Sequence, residues 1–196
     1  MYWKKGKRIF CHYCNGNHYS RACPVEKKKS SKLKKKVGKY MEKYYSRHYP
    51  CMRCGRNSLV VKGDRSPSWD LACTQCDNVL EIKSKCLSSK KIPQDITLPH
   101  GSFVHYNERQ VQGLDFVVII YRANRVSKEI TVREVMYFYN EQIMNTNLFV
   151  VQPNPNSQLS NIYINNREDP RIVKLALPSQ SNIDFNQQVE DIEVTV

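Results

Sequence analysis

The sequence predicts a mixed α/β domain preceded by a small metal-stabilised module, and three observations carry that expectation. Residues 114–122, L-D-F-V-V-I-I-Y-R, are β-branched and aromatic almost without a break, as in a strand buried on both faces. From residue 33, Val37, Tyr40, Met41, Tyr44 and Tyr45 recur at intervals of three and four, which marks an amphipathic helix ended by Pro50. Six of the eight cysteines fall in three Cys-x-x-Cys pairs, a pattern of metal ligation in a reducing compartment rather than of a secreted disulfide framework.

Charge divides the chain. Residues 1–50 hold 15 lysines and arginines against 2 acids, a balance of +13, whereas residues 51–196 hold 16 of each. A neutral body with a strongly basic arm is the electrostatic footprint of a partner rich in phosphate. No apolar run approaches the roughly eighteen residues of a membrane span, and the basic N-terminus lacks a following apolar segment. The expectation is a soluble intracellular protein with no membrane partner.

The elements follow in order. Cys11, Cys14, His18 and Cys23 are spaced Cys-x2-Cys-x3-His-x4-Cys, a zinc knuckle in which the metal must supply the folding energy of so short a loop. Phe10, Tyr13 and Tyr19 offer faces for unstacked bases, and Arg8 and Arg21 offer cations for phosphates; protein binding is the competing use of such a module. Residues 26–36, including Lys34, Lys35 and Lys36, read as a basic, phosphate-attracting linker that turns helical toward Val37. Glu42 lies off the apolar stripe of that helix, so it either approaches a site or pairs with Lys39 or Lys43 on a solvated face.

Residues 59–62 and 69–72 are expected to be strands joined by the turn at 63–67, with a further strand at 79–82. Residues 84–99 read as a polar connection, followed by a loop at 98–102 and a helix capped near Ser102. After the strand at 114–122, a short strand at 129–133 and a helix over 135–144 complete the core. Strands at 148–151, 161–164 and 172–175 extend one edge of the sheet, and the polar residues 179–196 form a tail. The domains are therefore 1–25, a zinc knuckle; 26–36, a basic linker; 37–178, the α/β domain; and 179–196.

Two features of the α/β domain carry chemistry. Cys51, Cys54, Cys73 and Cys76 form two pairs separated by 18 residues, the spacing of a closed four-cysteine zinc site. Its use is either to fix neighbouring carboxylates or to serve alone as a binding ribbon. The second pair lies inside an Asp70, ten residues, Glu81-x-Lys83 interval. On a strand, Glu81 and Lys83 share a face, and with Asp70 nearby two carboxylates and an ammonium converge. Metal-assisted phosphodiester hydrolysis needs that set, with oxygen ligands for Mg²⁺ and a cation beside the attacking water.

The run Cys51, Cys54, Gly55, Asp70, Cys73, Cys76, Glu81, Lys83, Ser84, Lys85 resembles the zinc-containing PD-(D/E)xK nucleases of the DpnI restriction endonuclease type. Trp69 stands where the motif's name has proline, with Pro67 close by. The chain is also similar to uncharacterised proteins of large nucleocytoplasmic DNA viruses that carry a zinc knuckle before this core. The resemblance runs from about residue 42 to about 178. It implies a restriction-endonuclease-like mixed sheet flanked by helices, with two structural zinc ions and a catalytic Mg²⁺ or Mn²⁺ held by Asp70, Glu81 and the Ile82 carbonyl. Lys83 would orient or help deprotonate water, Glu42 on the first helix would support a second cation, and His100, Ser102, His105 and Arg109 would reach phosphate. The implied substrate is nucleic acid, DNA before RNA. A homodimer would allow both strands to be cut, and the implied location is the host cytoplasm or nucleus, a viral factory or the virion. The competing class is a zinc-dependent nucleic-acid-binding protein without catalysis, such as a viral transcription or packaging factor.

Overall fold

The computed structural model describes residues 3–4, 7–8, 11, 14, 23–62, 69–102, 113–124, 129–141, 147–153, 159–179 and 182–184. The chain divides into two units, Met1–Tyr40 and Met41–Val196. In the first, β1 (Trp3–Lys4) and β2 (Lys7–Arg8) pair antiparallel. Helix α1 spans Pro24–His48, and so begins well before the linker ends in the sequence reading. Its start has a local cause: Pro24 carries the φ of a first helical position, Glu26 complements the helix dipole, and the lysines that follow are good helix formers. A high density of charge suggests a linker, yet Lys residues do not oppose the helical backbone.

The second unit holds two sheets. The larger comprises β3 (Leu59–Val61), β4 (Leu71–Cys73), β5 (Val79–Cys86), β7 (Asp115–Ala123), β8 (Glu129–Phe138) and β11 (Val173–Leu175), in the order β11-β8-β7-β5-β4-β3, with β12 (Asn182–Asp184) also on β8. Every pairing is antiparallel except β5 with β7. The smaller sheet is antiparallel, with β6 (Ile96–Ser102), β9 (Phe149–Pro153) and β10 (Leu159–Ile164) in the order β6-β10-β9.

Register decides what each face carries. Glu81, Lys83 and Lys85 stand beside Phe116, Val118 and Ile120, and the latter three continue to Phe138, Met136 and Glu134 of β8. The apolar members of this face pack with Ile96, Leu98, Phe149, Ile162 and Ile164 of the smaller sheet into one core. The Phe149 ring centre lies 5.0 Å from that of Phe116 and 5.4 Å from that of Phe138, both in tilted contacts. Each such side chain contributes about 1.5–3 kcal/mol by leaving water, so the inter-sheet core contributes substantially to stability. The opposite face carries Leu80, Asp115, Val117 and Tyr137, with Tyr45 of α1 next to Asp115.

Three expectations are corrected here. The helix over 135–144 is instead the second half of β8; Ile130, Val132, Val135, Tyr137 and Phe138 suit a strand, and β7 needs a partner along its length. Among the described residues of that stretch only Asn140 and Glu141 are helical. The loop at 98–102 belongs to β6, whose alternation of Ile96 and Leu98 with Thr97 is that of a half-buried strand. The helix expected after it, with His105 and Arg109, lies outside the described residues, as do the side chains of His100 and Ser102. The strands near 148–151 and 161–164 build the separate smaller sheet, and only β11 extends the larger one. No helix among the described residues is long and apolar enough to cross a membrane.

Candidate metal centre and the acid and lysine pair beside it

Two turns present four thiols to one another. Cys51–Cys54 closes through the Gly55 N–H on the Cys51 carbonyl at 2.7 Å, and Gly55 takes φ 70°, a left-handed conformation that favours glycine. The second turn joins β4 to β5, where the Cys73 N–H donates to the Asn78 carbonyl at 2.9 Å. The Sγ atoms of Cys51, Cys54, Cys73 and Cys76 all lie within 4.8 Å of one another. Cys51 to Cys76 and Cys54 to Cys73 are both 3.6 Å. Four Zn–S bonds of about 2.3 Å in a tetrahedron give edges of about 3.8 Å, whereas a disulfide is about 2.05 Å. The spacing is that of thiolates around one ion, and all four positions are filled by sulfur, so a zinc held here would be closed and structural.

The surroundings of Cys73 favour its thiolate. Ser58 Oγ lies 3.0 Å from Cys73 Sγ, the Gln75 N–H donates to it at 3.4 Å, and Asn78 Nδ2 donates to Cys51 Sγ at 3.5 Å. Burial pushes the Cys73 thiol up, but the hydrogen bonds from Ser58 and Gln75, with those from Cys76, outweigh it and hold Cys73 at about 6. At Cys76 the Asn78 backbone favours the thiolate, yet burial and sharing with the other three sulfurs push it up to about 12. A divalent cation removes the repulsion that keeps one thiol protonated beside another.

A buried polar ring fastens this centre to the sheet, and the sequence reading missed it. Asp115, fully buried, accepts from Arg53 Nε at 2.9 Å, from Arg53 Nη2 at 2.7 Å and from the Asn140 N–H at 2.8 Å. Tyr137 also donates to Asp115, and Asn78 Nδ2 reaches Tyr137 Oη at 3.3 Å while holding Cys51 Sγ. Arg53 itself sits inside the Cys51–Cys54 turn, so the ring closes on the metal centre. Outward, Arg53 makes two bonds of 2.8 Å to Glu141 and lies 4.9 Å from the Tyr139 ring centre. The signal that points to it is Asp115 itself, one acid inside an otherwise apolar strand.

Asp70 and the Glu81–Lys83 pair are brought together by the same β4–β5 unit. Asp70 Oδ2 accepts the Ile82 N–H at 2.8 Å, so its carboxylate replaces a ladder bond at the residue between Glu81 and Lys83. Glu81 is buried, 4 % exposed, and Lys83 Nζ pairs with its Oε1. Lys85 Nζ reaches the Thr97 carbonyl of β6 at 3.0 Å, which places the smaller sheet beside this face. Glu42 is buried rather than on a solvated face. Among the described residues, however, the groups of three or more His, Cys, Asp and Glu with ligand atoms within 4.8 Å of each other are the two cysteine clusters, and Glu42, Asp70 and Glu81 do not form such a group.

The second cluster is Cys11, Cys14 and Cys23, with Cys14 and Cys23 sulfurs 3.6 Å apart. Three thiols at this spacing offer most of a zinc ligand set. The fourth residue of the sequence motif, His18, lies outside the described residues, as do Phe10, Tyr13, Tyr19 and Arg21. Arg8 is in β2, and Lys34, Lys35 and Lys36 are exposed on α1. No model of a known protein family matches the chain, and no curated protein sequence is found to be similar to it.

Proposed function

We propose that the protein is a zinc-stabilised, metal-dependent nuclease of the PD-(D/E)xK kind, acting on DNA, with its N-terminal cysteine cluster and basic arm holding the nucleic acid. The observation that carries this reading is the Asp70 carboxylate on the Ile82 N–H, which sets it beside the Glu81–Lys83 pair on one strand. The fit to a hard divalent cation rests on the donor set: two carboxylates, one of them buried, with the Ile82 carbonyl between the pair. Asp70, Glu81 and that carbonyl would hold Mg²⁺ or Mn²⁺, and Glu42 would support a second ion. The bound ion supplies Lewis acidity, lowering the pKa of water and offsetting charge on phosphate. Lys83, now paired with Glu81, orients the attacking water and accepts or relays its proton once substrate is seated. The four-thiol centre fixes the turn from which the acid-bearing strand departs.

A second reading, a zinc-dependent nucleic-acid-binding protein without catalysis, draws on the two thiol clusters and the placement of all the net charge in residues 1–50. Cleavage of supercoiled plasmid, circular single strands and a branched junction in Mg²⁺ or Mn²⁺ separates the two. Wild type should cut, whereas Glu81→Gln, which removes a metal ligand, and Lys83→Ala, which removes the acid–base group, should bind equally well and each lose at least about 100-fold in rate. Zinc-loaded wild type that binds all three substrates and cuts none establishes the binding protein instead.

A further inference from the structure

Eight lysines lie between Pro24 and Tyr40, at 27, 28, 29, 32, 34, 35, 36 and 39, and this part of the chain is one helix rather than a linker. Helical register sorts them. At about 100° per residue, positions 28, 29, 32, 35, 36 and 39 fall within an arc of about 120°. Positions 27 and 34 fall outside it, about 80° and 100° from its nearer edge. Lys34, Lys35 and Lys36 are all exposed, while Val37, opposite the arc, and Tyr40, just beyond one edge of it, are buried. The arc therefore runs for about 16 Å along the helix axis, with six charges at intervals of one turn or less.

We propose that this lysine arc of α1 is a track for the phosphate backbone of a nucleic acid, with Lys35 and Lys36 on it and Lys34 off it. A linear array of cations matches a linear polyanion, whose duplex form carries a charge about every 1.7 Å. A helix that lies on a lipid surface needs an apolar face to insert, and here the apolar side chains at 37 and 40 are already buried by protein. The adjoining Cys11, Cys14 and Cys23 cluster, which ends one residue before the helix, adds a second module at the same end of the chain. The proposal rests on the nucleic-acid part of the function argued above and is independent of catalysis.

The test compares two pairs that each remove two charges from the full, zinc-loaded chain without Mg²⁺ or Mn²⁺. One is Lys35→Gln with Lys36→Gln, and the other is Lys27→Gln with Lys34→Gln. Gln has nearly the helix propensity of Lys, and circular dichroism checks that helicity is kept. Affinity for labelled single-stranded and duplex oligonucleotides is measured against salt. Loss of two phosphate contacts should lower the slope of log affinity on log salt by about 1.4 for single strands or about 1.8 for duplex in the first pair. The second pair should stay within about 0.5 of wild type. Equal losses in both pairs would mean that the lysines act as a polycation without register, and no loss in either would place the nucleic acid elsewhere; both overturn the track. Binding of wild type to phosphatidylserine vesicles but to neither oligonucleotide would overturn it in favour of a membrane. Register-dependent binding by a protein that cuts nothing keeps the track and removes only the nuclease.

Discussion

Replacing Tyr137 by phenylalanine removes one buried oxygen that serves two partners, so its cost can be worked from the geometry. Burial, with the charge of Asp115 beside it, holds the phenol far above its usual range, so Tyr137 is a donor at every pH the fold survives. Asp115 loses that donor but keeps Arg53 at 2.7 and 2.9 Å and the Asn140 N–H at 2.8 Å. Asn78 loses its acceptor on the sheet and keeps Cys51 Sγ. A hydrogen bond to a charged group contributes about 1.5–3 kcal/mol, and the remaining partners put Tyr137→Phe near the lower half, about 2 kcal/mol. At about 2–4 °C per kcal/mol for a domain of this size, the melting temperature should fall by about 4–8 °C. Zinc affinity should fall about tenfold, because an Asn78 no longer anchored to Tyr137 orients its N–H on the thiolate less well, and outer partners of metal ligands are worth about 10–100-fold. Thermal unfolding of the zinc-loaded protein and competition with a chromophoric chelator measure the two effects. Unchanged melting would refute the energetic reasoning, and lowered melting with unchanged zinc affinity would refute the link from sheet to metal.

Two further substitutions test the same physics elsewhere. A methyl group at Gly38 meets nothing within 4 Å, and the residue is helical, so Gly38→Ala should stabilise α1 by about 0.5–1 kcal/mol, seen as a later chemical or thermal unfolding of its helical signal; a destabilised variant would show that this space is needed. Arg53 holds Glu141 below the usual carboxylate range, so their pairing stabilises the fold above the unfolded value of about 4.3 and is lost as pH falls through the depressed one. Glu141 is mostly exposed, which limits the pair to under about 1 kcal/mol. Glu141→Gln should be slightly less stable than wild type at pH 7 and equal to it near pH 3; a difference that grows on acidification would reverse the sign of the reasoning.

What could be read from the sequence was local. The spacing of Cys51, Cys54, Cys73 and Cys76 led to one cluster because two short turns suffice to face four sulfurs. The strand at 114–122 and the hairpin of β3 and β4 were legible from composition and turn residues. Residues 135–138 misled because Val135, Met136, Tyr137 and Phe138 form an unbroken apolar run, and such a run does not state its period. Asp115 stands out as one acid in an apolar strand, but its partners were not legible: Arg53 meets groups 62 and 88 residues away, which no spacing rule anticipates. Glu134 is a second case, buried on β8 and held by Arg167 at 2.9 and 3.0 Å and Lys174 at 3.2 Å. For the acid and lysine pair, alternation along β5 gave the shared face, while the seat of Asp70 on the Ile82 N–H required the pairing of β4 with β5.

Strand β8 is paired along both sides, with β7 on one and, on the other, β11 over Val135–Tyr137 and β12 over residues 129–131. The last short strand therefore works as edge protection. A chain ending at residue 179 would keep the inter-sheet core and both cysteine clusters, yet would bare the outer edge of β8 at Glu129, Ile130 and Thr131. Unpaired backbone of that kind templates association with another sheet. Within the polar C-terminal segment, uninformative in composition, three residues thus cover an edge that would otherwise be bare.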